Sequence, residues 1–457
     1  MQKPIDTLFI IFGSTGDLTH RKLMPALYYL ESKKLLPENF AIIGIARKEK
    51  TTDEYRNEVK ESIKKYTKHH KEEIINRLTN KIYYFKNDFD TEQDYNELKK
   101  LLSDLDIKHN TKGNRIFYLA TKPEHFENII KNLKLNECIK KDKVHRIIIE
   151  KPFGHDLKSA QNLNKILNQL FSENSIYRID HYLGKETVQN LLALRYSNRI
   201  FEKLWSNKDI EEIQISVLEN IGIENRGNYY DNYGSLKDMI QNHLLQLVSL
   251  VTMENRSNNI KDIKKAKIEI LKKVKIKKII LGQYIGYLEE KDVKKNSKTD
   301  TYSALKIEIN NKRWKNVPIF IRTGKYLKRK ASEIVIIFKK GKNKEAENNI
   351  LRIRIQPDEG IHLQFNAKNP GNEFKLIPVS MDFCHECLFP LNTPEAYEKL
   401  IYDALVGDKT LFTSWEEVKY SWKIIDKITK KPKKIYLYEK FSWGPHQAEI
   451  TKWKEPL

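Results

Sequence analysis

The first third of the chain alternates short apolar runs with helix-patterned stretches, and this alternation restricts the fold more than any other feature. Strands are expected at residues 7–12, 40–45, 81–85, 115–120, 145–150 and 176–180. Between them lie 3.6-period patterns at 18–33, 53–65, 91–102, 124–135 and 156–171. Strand and helix in strict alternation describe a parallel sheet covered by helices, a Rossmann-like doubly wound domain.

Beyond residue 180 the texture changes to β-rich segments interrupted by a few helices. Strands are expected at 213–218, 302–309, 317–321, 333–338, 351–355, 361–365 and 374–381, and helices at 230–252, 260–273, 394–406 and 415–427. The chain therefore reads as α/β plus α+β. The first domain is expected over residues 1–177, and a larger second domain with a mainly antiparallel sheet over 178–457. A length of 457 residues suits two or three domains, and 40% hydrophobic residues suffice for their cores. The Lys- and Asn-rich segments at 291–299 and 339–349 read as exposed connections.

Charge points towards anionic partners. Lys plus Arg total 83 against 61 Asp plus Glu, a net +22. The lysines are spread along the chain and are not interleaved with stacking aromatics, so most of the excess, including the run at 264–278, reads as solvated surface and not as a nucleic-acid site. Three cysteines are too few for a disulfide framework, and a reducing cytoplasm fits. Cys384 and Cys387 lack the second pair that a structural zinc site needs, so no metal is expected. No apolar segment is long enough to span a bilayer, and the N-terminus has no signal-peptide pattern.

At the first strand–helix junction, LFIIFGSTGDL places Gly13 and Gly16 where backbone can approach a pyrophosphate at a helix N-terminus. The spacing is not the common G-x-G-x-x-G, and a plain tight turn is the alternative. At the end of the second strand stands Arg47, where an NAD-selective site presents an acid. Its guanidinium suits a 2′-phosphate, which favours NADP; a solvated arginine is the plainer reading. Lys151 follows the apolar run RIII and Glu150 at the carboxyl edge of the sheet, with Pro152 behind it. The alternative there is a strand-end lysine reaching to water.

The segment RIDHYLGKE, residues 178–186, crowds two cations, an imidazole, a phenol and two carboxylates into nine positions. Such an inventory suits a phosphorylated substrate, though a capped strand–helix corner would use some of the same residues. His243 lies on an increasingly apolar helix, where an imidazole by itself is usually a satisfied core residue. Asp238, five residues earlier, would stand about 140 degrees away at 3.6 residues per turn. The two are thus not expected to share a face.

With EKPFG at 150–154, RIDHYLGKE and QNHLLQ at 241–246, the chain resembles the glucose-6-phosphate dehydrogenases almost throughout, including RIQPDEG and PEAYEKLI, which read as architectural. The resemblance implies oxidation of glucose 6-phosphate at C1 to the 6-phosphogluconolactone with NADP, the entry to the pentose phosphate pathway. It implies His243 as general base with Asp180 as its partner. The cofactor would be held by the turn Gly13, Ser14, Thr15, Gly16, Asp17 and Leu18, with Arg47, Tyr118 and Lys151. Substrate would be held by Lys151, His181, Tyr182, Lys185, Glu219, Asp238, Lys325 and Lys330. The same resemblance makes 1–177 the dinucleotide-binding domain and 178–457 the substrate-binding and oligomerisation domain, and implies a homodimer or homotetramer in the cytoplasm. Two departures stand out: ATKP where the family often has two prolines, and NRGNY, in which Asn228 replaces a glycine. A related sugar or polyol oxidoreductase shares the nucleotide domain and the EKP turn.

Overall fold

The structure, a computed structural model, describes residues 3–140, 142–254, 260–343, 345–384, 387, 395–430 and 434–456; for residues 260 and 261 it describes the backbone alone. The chain divides into two compact units, Met1–Gly184 with Pro394–Val418, and Lys185–Thr393 with Lys419–Leu457. Each unit thus takes chain from two places. The division falls inside RIDHYLGKE, between Gly184 and Lys185.

In the first unit, β1 (Thr7–Phe12), β2 (Phe40–Ala46), β3 (Ile82–Lys86), β4 (Arg115–Leu119), β5 (His145–Ile149) and β6 (Ile176–Ile179) match the six expected strands to within one or two residues. They pair in parallel in the order 6-5-4-1-2-3. Strand β1 is buried along its whole length, which is why TLFIIF shows no polar alternation. The order reverses between β1 and β4, so a ligand crevice opens at the carboxyl ends of those strands.

Local chemistry sets the helix ends. Thr51 and Glu54 form a reciprocal cap on the helix Thr52–Tyr66, and Asp156 accepts from the Ser159 N–H at the start of Leu157–Leu167. The helix Glu72–Thr79 was not expected, because eight residues give too short a period to stand out. Further along the chain, the short strand β15 (Phe412–Thr413) adds antiparallel to β6.

In the second unit a nine-stranded sheet runs β14-β13-β12-β11-β7-β10-β9-β8-β16. Its strands are β7 (Ile210–Leu218), β8 (Val274–Tyr284), β9 (Tyr302–Ile309), β10 (Ile319–Gly324), β11 (Ala331–Phe338), β12 (Ile350–Gln356), β13 (Gly360–Lys368), β14 (Leu376–Cys384) and β16 (Ile435–Tyr438). Pairing is antiparallel except for β7 with β10 and β8 with β16. Strand β8 lies partly in the lysine run expected to be plain surface. Its early lysines face solvent while Ile280, Leu281 and Tyr284 are buried, and Lys267 in the preceding helix is itself buried.

The single helix expected over 230–252 is divided. Gly234 has φ +63°, which ends the helix Gly227–Ser235; a π-helical segment, Leu236–Leu244, then leads into the helix Leu245–Thr252. Asp300 fixes the break by accepting from the Ser235 hydroxyl at 2.6 Å and the Leu236 N–H at 2.8 Å. At the far end, carbonyls that the helix leaves without intrahelical donors are buried and must find others. Trp205 Nε1 donates to Val251 O and Trp314 Nε1 to Thr252 O, both at 2.7 Å, while Arg195 donates to the Leu250 and Met253 carbonyls. The expected helix at 394–406 is observed as Ala396–Val406; Pro394 lies outside the described residues.

Candidate active site

The nucleotide turn leaves β1 at the reversal of strand order. Gly13 has φ +86°, and a Cβ there would lie 2.6 Å from the Ala120 carbonyl oxygen, so only glycine fits. Its N–H and that of Ser14 donate to Ile45 O, and the Gly16 N–H returns to Gly13 O at 3.0 Å. The loop is thereby pinned beneath the start of the helix that begins at Asp17. Ser14 is buried, Thr15, Gly16 and Leu18 are half-buried, and Asp17 is exposed with Arg21 at 3.5 Å. Arg47 stands exposed just past β2. A close-packed glycine turn and a cation past the second strand fit a dinucleotide carrying a 2′-phosphate.

In the neighbouring strand β4, the fully buried Tyr118 donates to Oε1 of Glu150, just past β5, at 2.6 Å, and Tyr397 hydrogen-bonds the same carboxyl group. Desolvation raises the Glu150 carboxyl, while the two phenols and the Lys151 ammonium favour its anion. After β6, the buried Asp180 accepts the Tyr182 N–H at 3.1 Å, and the Leu183 N–H bonds Asp180 O, closing a turn. His181 packs against the Tyr182 ring. Arg178, counted among the cations suited to phosphate, is committed elsewhere. It is buried, holds both Glu173 oxygens at 2.7 and 3.0 Å, and reaches Asn164 at 2.6 Å. Lying within β6, its side chain turns to the helix Leu157–Leu167 and to the residue Glu173 that precedes the strand.

In the second unit, Lys185 donates to the Gln356 side chain, and Thr187 to Glu359 at 2.6 Å. Gln356 belongs to RIQPDEG, which sequence reasoning had treated as architectural. A polar side chain at a strand end immediately before proline was the available signal. Glu219, just past β7, pairs with Lys325 after β10 at 2.5 Å; the lysine side chain is only 2% exposed and lies 5.6 Å from the Tyr230 ring centre. The Tyr438 hydroxyl donates to Lys325 O at 2.8 Å and supports this corner. Lys330 is exposed.

Asp238 and His243 are both buried, and Tyr229 donates to Asp238 Oδ1 at 3.2 Å. Here the structure corrects the expected helical geometry. In a π-helix the bonds run from i to i+5, so residues five apart stand about one turn above one another. Asp238 and His243 therefore share a face that a 3.6-residue period would have separated. The glycine break and the Asp300 clasp hold the start of this segment.

The CHEC sequence also departs from expectation. Cys384 and Cys387 form a disulfide, whereas Cys138 is buried and its thiol is pushed up to about 11 by that burial. Three cysteines cannot staple a large core, but two that are three positions apart can close a local loop. Among the described residues, no group of three or more His, Cys, Asp or Glu is arranged to hold a metal. No helix among them is long and apolar enough to cross a membrane.

Two family models match consecutively: glucose-6-phosphate dehydrogenase, NAD binding domain, over residues 10–190, and its C-terminal domain over 192–455. A glucose-6-phosphate 1-dehydrogenase from Chlamydia muridarum is 44% identical, over 94% of this chain and 90% of its own. Its counterpart from Bacillus subtilis is 41% identical over 98% and 97% respectively. Among solved structures, a glucose-6-phosphate dehydrogenase in complex with its substrate glucose-6-phosphate is similar with a TM-score of 0.91 at 35% identity, covering 98% of this chain and 96% of that one.

Proposed function

The chain belongs to the glucose-6-phosphate dehydrogenase family, and from that premise we propose how its residues divide the reaction. It oxidises glucose 6-phosphate at C1 to the 6-phosphogluconolactone, with NADP as the oxidant. The observation that carries the assignment of residues is the buried Asp238–His243 face of the π-helical segment, whose start Asp300 fixes.

His243 accepts the proton of the C1 hydroxyl as a neutral imidazole, and Asp180 stabilises the imidazolium that results. Bound NADP supplies a nicotinamide ring that takes the hydride from C1. Gly13 to Leu18 hold its pyrophosphate, Arg47 clasps the 2′-phosphate, and Tyr118 and Lys151 flank the site. His181, Tyr182 and Lys185 bind the substrate phosphate with donors of three kinds, joined by Lys330. Asp238 and Glu219 accept from sugar hydroxyls, while Lys325 and Lys151 donate. Anchoring the phosphate far from C1 positions the reacting carbon without taxing the chemical step.

Assembly as a homodimer or homotetramer in the cytoplasm belongs to the same proposal. The second unit's β14 lies at the sheet edge, where Met381, and Phe374 just before it, are exposed.

NADPH formation, followed by absorbance with NAD or NADP and with phosphorylated or free glucose, tests the substrate and cofactor. Turnover should require glucose 6-phosphate and prefer NADP; turnover of free glucose in preference to the phosphate would point to a related sugar oxidoreductase instead. In the same assay His243→Asn should lower kcat by about 10²–10⁴-fold with little change in substrate KM. Wild-type kcat in that variant would remove His243 from the mechanism.

A further inference from the structure

Glu150 is a half-buried carboxylate to which the reaction, as divided above, gives no task. Three elements of the first unit converge on it: Tyr118 from β4, Tyr397 from the first turn of the helix Ala396–Val406, and Glu150 itself just past β5. Tyr118 is completely buried and spends its hydroxyl on this one carboxylate. A solvated glutamate would need no such partners, and a core position would be filled more cheaply by an apolar side chain.

Its charged surroundings are specific. The Lys151 ammonium acts on Glu150 as an attractive charge, and Asp180 as a repulsive one. Asp180 also acts on the Tyr397 phenol. Glu150 therefore adds negative potential beside one residue proposed to bind substrate and cofactor, and beside another proposed to support the general base. Phenols fit this position because each donates a hydrogen bond without bringing a charge, so they fix the carboxylate without cancelling its field.

We propose that Glu150, clamped by Tyr118 and Tyr397, is a positioning residue for the dehydrogenase reaction: it sets the place of Lys151 and, through Asp180, raises the proton affinity of the general base. This rests on the reading of His243 and Asp180 given above. The role is indirect. Glu150 touches neither sugar nor nicotinamide, and acts by holding the chain that carries Lys151 and by its field at Asp180.

Glu150→Gln preserves size and keeps an acceptor while removing the charge. The acid limb of its kcat/KM profile should move to lower pH by about half a unit or more, because loss of a nearby negative charge disfavours the imidazolium. Its kcat should fall by about tenfold or more, with unfolding temperature close to wild type. Glu150→Asp, which restores the charge, should return the limb towards its wild-type position. Tyr118→Phe and Tyr397→Phe keep the charge and remove one clamp each, so they should raise KM for glucose 6-phosphate or NADP with an unshifted limb.

An unshifted limb in Glu150→Gln, with normal folding and wild-type kcat, would overturn the proposal. A fall in unfolding temperature with an unshifted limb would also overturn it, leaving Glu150 a purely structural residue. Should Glu150→Gln not fold, the two phenylalanine variants decide: wild-type KM values in both would refute the positioning role. Wild-type enzyme that fails to oxidise glucose 6-phosphate, or that has an active His243→Asn variant, would instead defeat the underlying reading.

Discussion

At the scale of single residues, the chemistry of this protein depends on charges held out of water with one good partner. Lys325 is the clearest case, because its side chain is almost wholly buried and Glu219 is its ion-pair partner at 2.5 Å. Glu219→Ala should destabilise the unliganded protein by roughly 2–4 kcal/mol, since it strands a buried charge. Urea unfolding measures this, and a change below about 0.5 kcal/mol would show that water replaces the carboxylate. His145 is a second case. It is 7% exposed, its Nε2 accepts the Lys140 N–H, and burial with Arg115 nearby lowers its pKa to about 4. The folded state therefore prefers neutral His145. Its contribution is complete above the ordinary pKa near 6.5 and is lost as pH falls from there towards 4, by roughly 3 kcal/mol. Comparing urea unfolding at pH 7.5 and 4.5, His145→Gln should lack most of this component; an equal pH dependence in both proteins would refute the assignment.

At the scale of elements, backbone geometry decides where functional side chains point. Gly13 and Gly234 both have positive φ, and each lies where a Cβ would strike a neighbour: the Ala120 carbonyl oxygen at 2.6 Å, or Asp300 Oδ1 at 2.7 Å. Gly13→Ala should raise the KM for NADP at least tenfold with a smaller effect on the glucose 6-phosphate KM, because the turn would have to move away from β4. Equal effects on both KM values would show a general loss of folding. Gly234→Ala should cost roughly 1–3 kcal/mol and lower kcat, since the strain and the displaced Asp300 both bear on the start of the segment that carries Asp238 and His243. Unfolding and steady-state kinetics read these together, and destabilisation without loss of kcat would separate the break from the site.

The parallel strands were legible because their burial leaves unmistakable apolar runs, whereas their order in the sheet came from the tertiary structure. The glycine turn was legible because one residue type is needed at one place. The π-helical segment was not, because the same side chains are compatible with a 3.6-residue period, and the Asp300 carboxylate that clasps its start comes from 65 residues away. Strand β8 was hidden for a related reason. Lysines on one face of VKIKKIILGQY obscure the buried residues that follow, and only neighbouring β9 and β16 make the segment a strand.

At the scale of the whole molecule, a net charge of +22 surrounds a reaction whose two reactants are both phosphorylated. Their capture should be helped by the long-range field and weakened by screening. Between about 20 and 200 mM NaCl, kcat/KM should fall several-fold, mostly through KM, if the field aids encounter. A salt-independent kcat/KM would confine the excess lysines to solubility.

The amino-acid sequence by itself determined the parallel nucleotide domain, the β-rich second part, the glycine turn, Arg47 and the family motifs. Each of these is written in neighbouring residues, through apolar runs, required backbone freedom or a characteristic string. Tertiary structure alone decided that Arg178 serves Glu173, that Gln356 meets Lys185, that Tyr118 and Tyr397 clamp Glu150, and that Asp238 and His243 share one face. Those outcomes depend on partners distant in the chain or on a backbone form that no local pattern announces. A polar side chain takes whichever buried partner the fold brings within hydrogen-bond reach.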